Sequence, residues 1–243
     1  MGIWPFGKKT DTLKESGLFD GFTDWHSHIL PGVDDGVKTF DESCALLDAF
    51  GGMGVRKIWL TPHIMEDYPN TTADLRKRFE ELKLAYDGPV ELCLASENML
   101  DSLFEDRLSE CDFLPIGDEG KHILVETSYF SAPINMTDLL QEVMRKGYYP
   151  VLAHPERYRY MDENRYTELH EMGVVFQSNL LSIVGGYGDT ARKKLEWLLR
   201  KGYVSMMGSD IHRLSTLEQY DRHPGRREHL ERLVAVAANP RLG

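Results

Sequence analysis

The sequence predicts an α/β protein built on a closed or nearly closed parallel β/α barrel. Two observations carry this reading. Short apolar runs alternate with segments of helical periodicity about seven times along the 243 residues. Residues able to hold metal ions stand near the C-terminal ends of those runs. Parallel neighbours need a crossover, so strict alternation implies a parallel sheet. In a parallel barrel the C-terminal mouth is where active sites assemble.

The elements follow in order. Residues 22–29 (FTDWHSHI) read as a short buried strand. Residues 40–54 (FDESCALLDAFGGMG) read as a helix, with Leu46, Leu47 and Phe50 on one face and glycines to end it. Residues 55–63 (VRKIWLTPH) form the next strand and residues 71–86 (TTADLRKRFEELKLAY) a charged amphipathic helix. Strands are then expected in VELCLASE, KHILVETS, YYPVLAHP, GVVFQSN and YVSMMGSD. Helices are expected in TDLLQEVMRKG, ENRYTELHEMG, TARKKLEWLLRKG and the segment after Gly225. No repeat, low-complexity run or linker divides the chain. Residues 1–20 read as a tail whose Trp4 and Phe6 pack on the domain, and residues 21–243 as a single domain.

Composition narrows the function. A hydrophobic content of 42% supports a sizeable core, and a formal net charge of −11 argues against nucleic-acid binding, which relies on Lys and Arg. No apolar stretch approaches the ~20 residues needed to span a bilayer. The start, MGIWPFGKK, lacks the order of a signal peptide. With Cys44, Cys93 and Cys111 odd in number and free of CxxC spacing, a reduced, cytoplasmic setting is expected.

Five of the nine histidines fall in four short motifs: DWHSHILPGVDDG, TPHI, AHPERY and GSDIH. His26 and His28 are two apart on a strand and face one way; Asp210 and His212 repeat that spacing. Asp34 reads as a turn acid and Asp35 as a candidate ligand beside it. His63, His154, Glu97 and Glu126 complete the set. Alone, each fits an ordinary role: a loop histidine, a turn acid, a carboxylate closing a strand. Together at successive strand ends, imidazoles and carboxylates form the ligand set of zinc, manganese or iron and point to hydrolysis through metal-activated water. Arg157 suits an oxyanion substrate, or else pairs with Glu156; Arg213 is a second candidate. His122, His170, His223 and His229 carry no motif.

Covalent catalysis has no support. A cysteine-dependent phosphatase needs an arginine six positions after its nucleophile, where this chain has Phe50, Met99 and Gly117. There is no GxSxG elbow and no Walker A loop.

From Phe22 onward these motifs, in this order, resemble the PHP (polymerase and histidinol phosphatase) superfamily, and within it the bacterial protein-tyrosine phosphatases of capsular and exopolysaccharide synthesis. HSHILPGVDDG with AHPERY is specific to that subgroup. The resemblance implies a distorted (β/α)7 TIM-like barrel of the PHP type holding three divalent transition-metal ions, Mn or Fe before Zn. It implies one site of His26, His28, Glu97 and Asp210; a second of Glu97, Glu126 and His154; and a third of Asp35, His63 and His212. It further implies phosphotyrosine hydrolysis by a metal-bound hydroxide, with a bacterial tyrosine kinase as the phosphoprotein partner. Arg157 would neutralise charge on the phosphoryl group, and Asp210 or His212 would assist the leaving group at the mouth. The alternatives are a small-molecule phosphatase, such as one acting on histidinol phosphate, and a non-catalytic metal-stabilised binding module.

Overall fold

The computed structural model describes residues 10–241. Its strands are β1 (Thr10–Asp11), β2 (Thr23–Ser27), β3 (Lys57–Leu60), β4 (His63–Ile64), β5 (Glu91–Leu94), β6 (Glu97–Met99), β7 (His122–Glu126), β8 (Tyr149–Ala153), β9 (Val175–Asn179), β10 (Val204–Gly208) and β11 (Gly225–Arg226). The helices are α1 (Phe40–Met53), α2 (Thr72–Ala85), α3 (Ser102–Glu110), α4 (Met136–Arg145), α5 (Glu163–Glu171), α6 (Asp189–Lys201), α7 (Gln219–Arg222) and α8 (Arg227–Ala238).

The parallel strands run β2-β3-β5 and β4-β6-β7-β8-β9-β10. These two sheets are halves of one ring. β3 continues into β4, and β5 into β6, across short breaks. Pro62 has no N–H to donate and stands in the first break, while the Ala95 N–H bonds Leu60 O and the Glu97 N–H bonds Pro62 O across it. The ring closes where the Asp210 N–H donates to His26 O and the His28 N–H to Ile211 O. Seven strand positions therefore form a distorted barrel, as the alternation of runs predicts.

Each crossover carries a helix, and the helix signals are local. Thr39 caps α1 by accepting from the Glu42 N–H while Glu42 reaches back to the Thr39 N–H, and Gly54 ends it in the left-handed region. The sequence reading passes over α3. Its short length and charged composition (SLFEDRLSE) hide its pattern, yet Asp101 caps it and Phe104 and Leu108 are buried.

Strand period two divides the core. One face of the strands meets the helices in the main cluster, with residues such as Ile58, Ile123, Val125 and Leu152. The other face fills the barrel interior with Trp59, Leu124, Val151 and Met206, and Trp25 stacks on Trp59 at 6.0 Å between centroids. One step further along the same face, Leu124 gives way to Glu126 and Ala153 to the turn at His154. The apolar plug thus forms the floor of a polar mouth.

The second half of the segment expected as a tail packs on the barrel. Leu13, Leu18 and Phe19 are buried in the main core, and β1 pairs antiparallel with β11. The isolated positions of these residues in a polar run gave no periodic signal; tertiary burial decides them, as where Phe19 packs on Tyr220 and Phe50. Trp4 and Phe6 lie outside the described residues. Leu13→Ala is expected to lower unfolding free energy by ~2–5 kcal/mol, because a leucine with no exposure leaves a cavity. Urea denaturation followed by fluorescence checks this, and a change under 0.5 kcal/mol, ~0 on the scale of a core deletion, would return the segment to the status of a tail.

Candidate metal centre

His26 and His28 sit at the C-terminal end of β2 and just beyond it, and both are fully buried. Their backbone is held close to its neighbours by two glycines. A Cβ on Gly208 would lie 2.4 Å from the His26 Cβ, and one on Gly36 would lie 2.1 Å from His28 O. The VDDG turn therefore ends in glycine because the chain folds back against His28.

The outer nitrogens of both rings are committed. His28 Nδ1 lies 2.8 Å from the Asp34 carboxylate. His26 Nδ1 lies 2.8 Å from Gln177 Oε1, whose own amide nitrogen donates to Ser178 O and Asn179 Oδ1. Donation at Nδ1 leaves the two Nε2 lone pairs facing inward, 3.1 Å apart. Glu97 Oε2 lies 3.2 Å from one and 3.3 Å from the other, and Asp210 Oδ1 at 3.6 and 3.5 Å. Only positive charge satisfies such a convergence, as a proton or a metal cation.

The other candidates join the same mouth. His63 looks both ways: its Nδ1 is 3.1 Å from Glu97 Oε2 and 2.9 Å from Glu126 Oε1, and its Nε2 is 3.5 Å from Asp35 Oδ1. None of the first three atoms makes a hydrogen bond, although all are buried. Close approach of donor atoms without hydrogen-bond geometry is what a cation would occupy. His212 Nε2 lies 3.4 Å from Asp35 Oδ1, and its ring stacks on His28 at 4.0 Å. His154 Nε2 lies 2.9 Å from Glu97 Oε1.

Four overlapping groups have donor atoms within 4.8 Å of one another: His28, Asp35, His63 and His212; His26, His28 and Asp210; His26, Glu97 and His154; and His63, Glu97 and Glu126. The nine residues form one continuous, multinuclear-type cluster. The grouping differs in part from that implied by resemblance, since His63 rather than His154 stands nearer Glu126. His154 Nε2 is 3.9 Å from Glu126 Oε2.

Electrostatics express the same demand for positive charge. Burial opposes protonation of His26, but Glu97 and Asp210 outweigh it and hold the imidazole up at about 9. His28 is raised well above the ordinary value against the same burial cost, chiefly by Asp34. Burial pushes the Glu97 and Asp210 carboxyls up, yet His26 and its neighbours hold both well below the usual range. His154 and Asp210 also hold left-handed backbone, with φ of 34° and 52°. That conformation costs a non-glycine residue ~1 kcal/mol or more and gathers at functional sites.

Arg157 reaches this cluster and does not pair with Glu156. Its Nη1 donates to Asp210 Oδ2 at 2.6 Å, and its guanidinium lies 4.4 Å from the Tyr129 ring and 4.2 Å from the Tyr187 ring. Asn179 Nδ2 donates to the same Asp210 oxygen at 2.7 Å. Arg213 lines a separate cavity of about 280 Å³ with Asp35, Lys38 and His212. The remaining histidines stand apart: His122 is buried against Tyr149, His170 stacks on Tyr203, and His229 pairs with Glu196. Burial pushes the Cys93 thiol up to about 11, against any thiolate role.

Sequence reasoning missed Asp34, Gln177, Asn179, Tyr129 and Tyr187. Gln177 and Asn179 had a signal, two amide residues at period two where the apolar run VVF turns polar at the end of β9. Asp34 shares its turn with Asp35, and only the fold shows which of the two orients His28. Asp34→Ala is expected to weaken metal affinity ~10–100-fold. Competition against a chelator with known affinity measures this, and unchanged affinity would reduce Asp34 to a turn residue.

Known proteins are similar to this chain in sequence and fold. A solved structure from work on YwqE of Bacillus subtilis and CpsB of Streptococcus pneumoniae, metal-dependent tyrosine phosphatases, superposes with a TM-score of 0.74 at 27% identity, over 88% of this chain and 85% of that one. Tyrosine-protein phosphatase YwqE of Bacillus subtilis is 30% identical over 199 residues, 79% of this chain and 78% of its own length. Tyrosine-protein phosphatase CpsB of Streptococcus agalactiae is 31% identical over 210 residues, 79% of this chain and 83% of its own. The lactonase Lmo2620 of Listeria monocytogenes shares the fold at a TM-score of 0.53 and 14% identity. The model of the family "Capsular polysaccharide synthesis, CpsB/CapC" matches residues 22–233, all the ring strands and their ligand-bearing ends included, and this chain belongs to that family.

Proposed function

We propose that the protein is a metal-dependent tyrosine-protein phosphatase with three divalent ions, Mn or Fe by preference, held by His26, His28, Asp35, His63, Glu97, Glu126, His154, Asp210 and His212. The observation that carries this reading is the convergence of inward-facing imidazole and carboxylate donors beside Arg157, in a family whose relatives bear that activity by name. The domain is a single unit acting in the cytoplasm. A tyrosine kinase of capsular or exopolysaccharide synthesis is the candidate phosphoprotein.

Bound divalent ions supply Lewis acidity to the phosphoryl oxygens and acidify the attacking water. The chain does the rest. Asp34 and Gln177 fix the rings of His28 and His26. Asn179 and Arg157 together hold one oxygen of Asp210, so its other oxygen faces the histidines. The two tyrosine rings clamp Arg157 with its remaining N–H donors free for equatorial phosphoryl oxygens, where charge develops. Burial pushes the Tyr129 and Tyr187 phenols well up, so both stay neutral and do not repel the phosphate. His212 is part-exposed on the rim and adjoins the place where a leaving phenolate departs.

The test is a substrate panel on purified protein reconstituted with Mn²⁺. Phosphotyrosine peptides are expected to turn over, with phosphoserine peptides and histidinol phosphate far slower. Preference for histidinol phosphate would move the reading to a small-molecule phosphatase, and no turnover of any aryl phosphate would leave a binding module. The variant with Cys44, Cys93 and Cys111 all changed to serine is expected to keep its activity.

A further inference from the structure

Beside the metal mouth, a cavity of about 460 Å³ is lined by Arg157, Arg159, Lys194 and Tyr187, with Glu156 and Asp189. Arg157 is shared. One Nη bonds the Asp210 carboxylate of the cluster, so the cavity and the cluster share this side chain. Arg159 and Lys194 make no ion pair among the described residues. Arg159 lies over the exposed Phe130 ring at 4.8 Å, and Lys194 donates to Tyr158 O. Of the acids near Lys194, Glu156 and Asp162 act on it through charge without contact, and Glu156 keeps one buried oxygen without a hydrogen bond. Glu156 is buried and accepts from the Asn179 N–H and Ser182 Oγ, and Asp189 pairs with Arg192. Two cations without an ion-pair partner therefore face this cavity, on a chain of net charge −11.

We infer that this cavity is a specificity subsite that takes an anionic side chain next to the phosphotyrosine, with Arg159 and Lys194 as its recognition residues. The inference rests on the phosphatase reading above. Arg159 offers a planar fork and Lys194 a point charge, both in the lining of the cavity, so a carboxylate or a second phosphate entering there meets both. A chain whose overall charge repels acidic segments gains discrimination from one basic entry beside the reacting group.

The experiment compares kcat/KM on the metal-loaded full chain for one phosphotyrosine peptide in three forms: glutamate flanking the phosphotyrosine on both sides, glutamine there, or a phosphoserine on each side. Wild type is expected to favour the glutamate form over the glutamine form about tenfold, mainly through KM. In Arg159→Gln and in Lys194→Gln that ratio is expected to fall toward one, and Lys194→Arg is expected to restore part of it. The phosphoserine form tells the sources apart: a larger gain than glutamate assigns the site to phosphate, a smaller one to carboxylate. No preference in wild type, or an equal loss on the glutamate and glutamine forms in both variants, overturns the subsite and leaves the phosphatase reading standing. A wild-type enzyme inert on all three forms overturns both.

Discussion

Replacing His26, His154 or Asp210 with alanine is expected to lower phosphotyrosine turnover by at least about 10³-fold. Each side chain touches two or more others in the cluster, so its loss misplaces a cation and frees a neighbour. His154, for example, bonds one Glu97 oxygen while the other faces His26 and His28. Chelation should do the same reversibly, with Mn²⁺ or Fe²⁺ restoring activity. Elemental analysis after reconstitution is expected to find about three ions per chain, and one ion or none would sink the trinuclear proposal. The metal-free protein offers a second readout. Its His26 sits at about 9, above the ordinary 6.5. A group raised on folding contributes stability that is present below its unfolded value and lost as pH rises through the folded one. The metal-free protein should therefore lose stability between about pH 6.5 and 9. The metal-loaded protein, with a cation in the proton's place, should not, and equal pH profiles by thermal unfolding would contradict that exchange.

Arg157→Ala is expected to reduce kcat/KM for a phosphotyrosine peptide by roughly 30- to 150-fold, the worth of a charge-assisted bond of ~2–3 kcal/mol made in the transition state. Arg157→Lys should recover only part, because an ammonium cannot both hold Asp210 and present a planar pair of donors. The structure adds a condition. Since Arg157 also positions Asp210, metal content must be measured in the same variant. Lost activity with metals retained assigns Arg157 to the phosphate; lost metals assign it to Asp210. Full activity with all metals bound would demote Arg157 and make Arg213, beside His212, the next to test.

Much of this molecule was legible in its residues. Period two placed His26 with His28 and Asp210 with His212. Alternating strands and helices implied a parallel ring, and a ring carries residues 26 and 212 to one mouth although most of the chain separates them. Such signals survive in one dimension because they repeat, and because a run of apolar residues has few ways to be buried. Other features belong to the tertiary structure alone. That Asp34 orients His28 while Asp35 faces His63 and His212 depends on how one turn folds back over Gly36. That Arg157 bonds Asp210 and lies between two tyrosine rings, and leaves its neighbour Glu156 to Asn179 and Ser182, depends on the ends of four strands meeting. That Leu13 and Phe19 are core depends on surfaces made elsewhere. Apart from the six-residue reach of Asp34 to His28, the deciding contacts join residues far apart in the chain, and their energies come from burial and shared charge that no local pattern records.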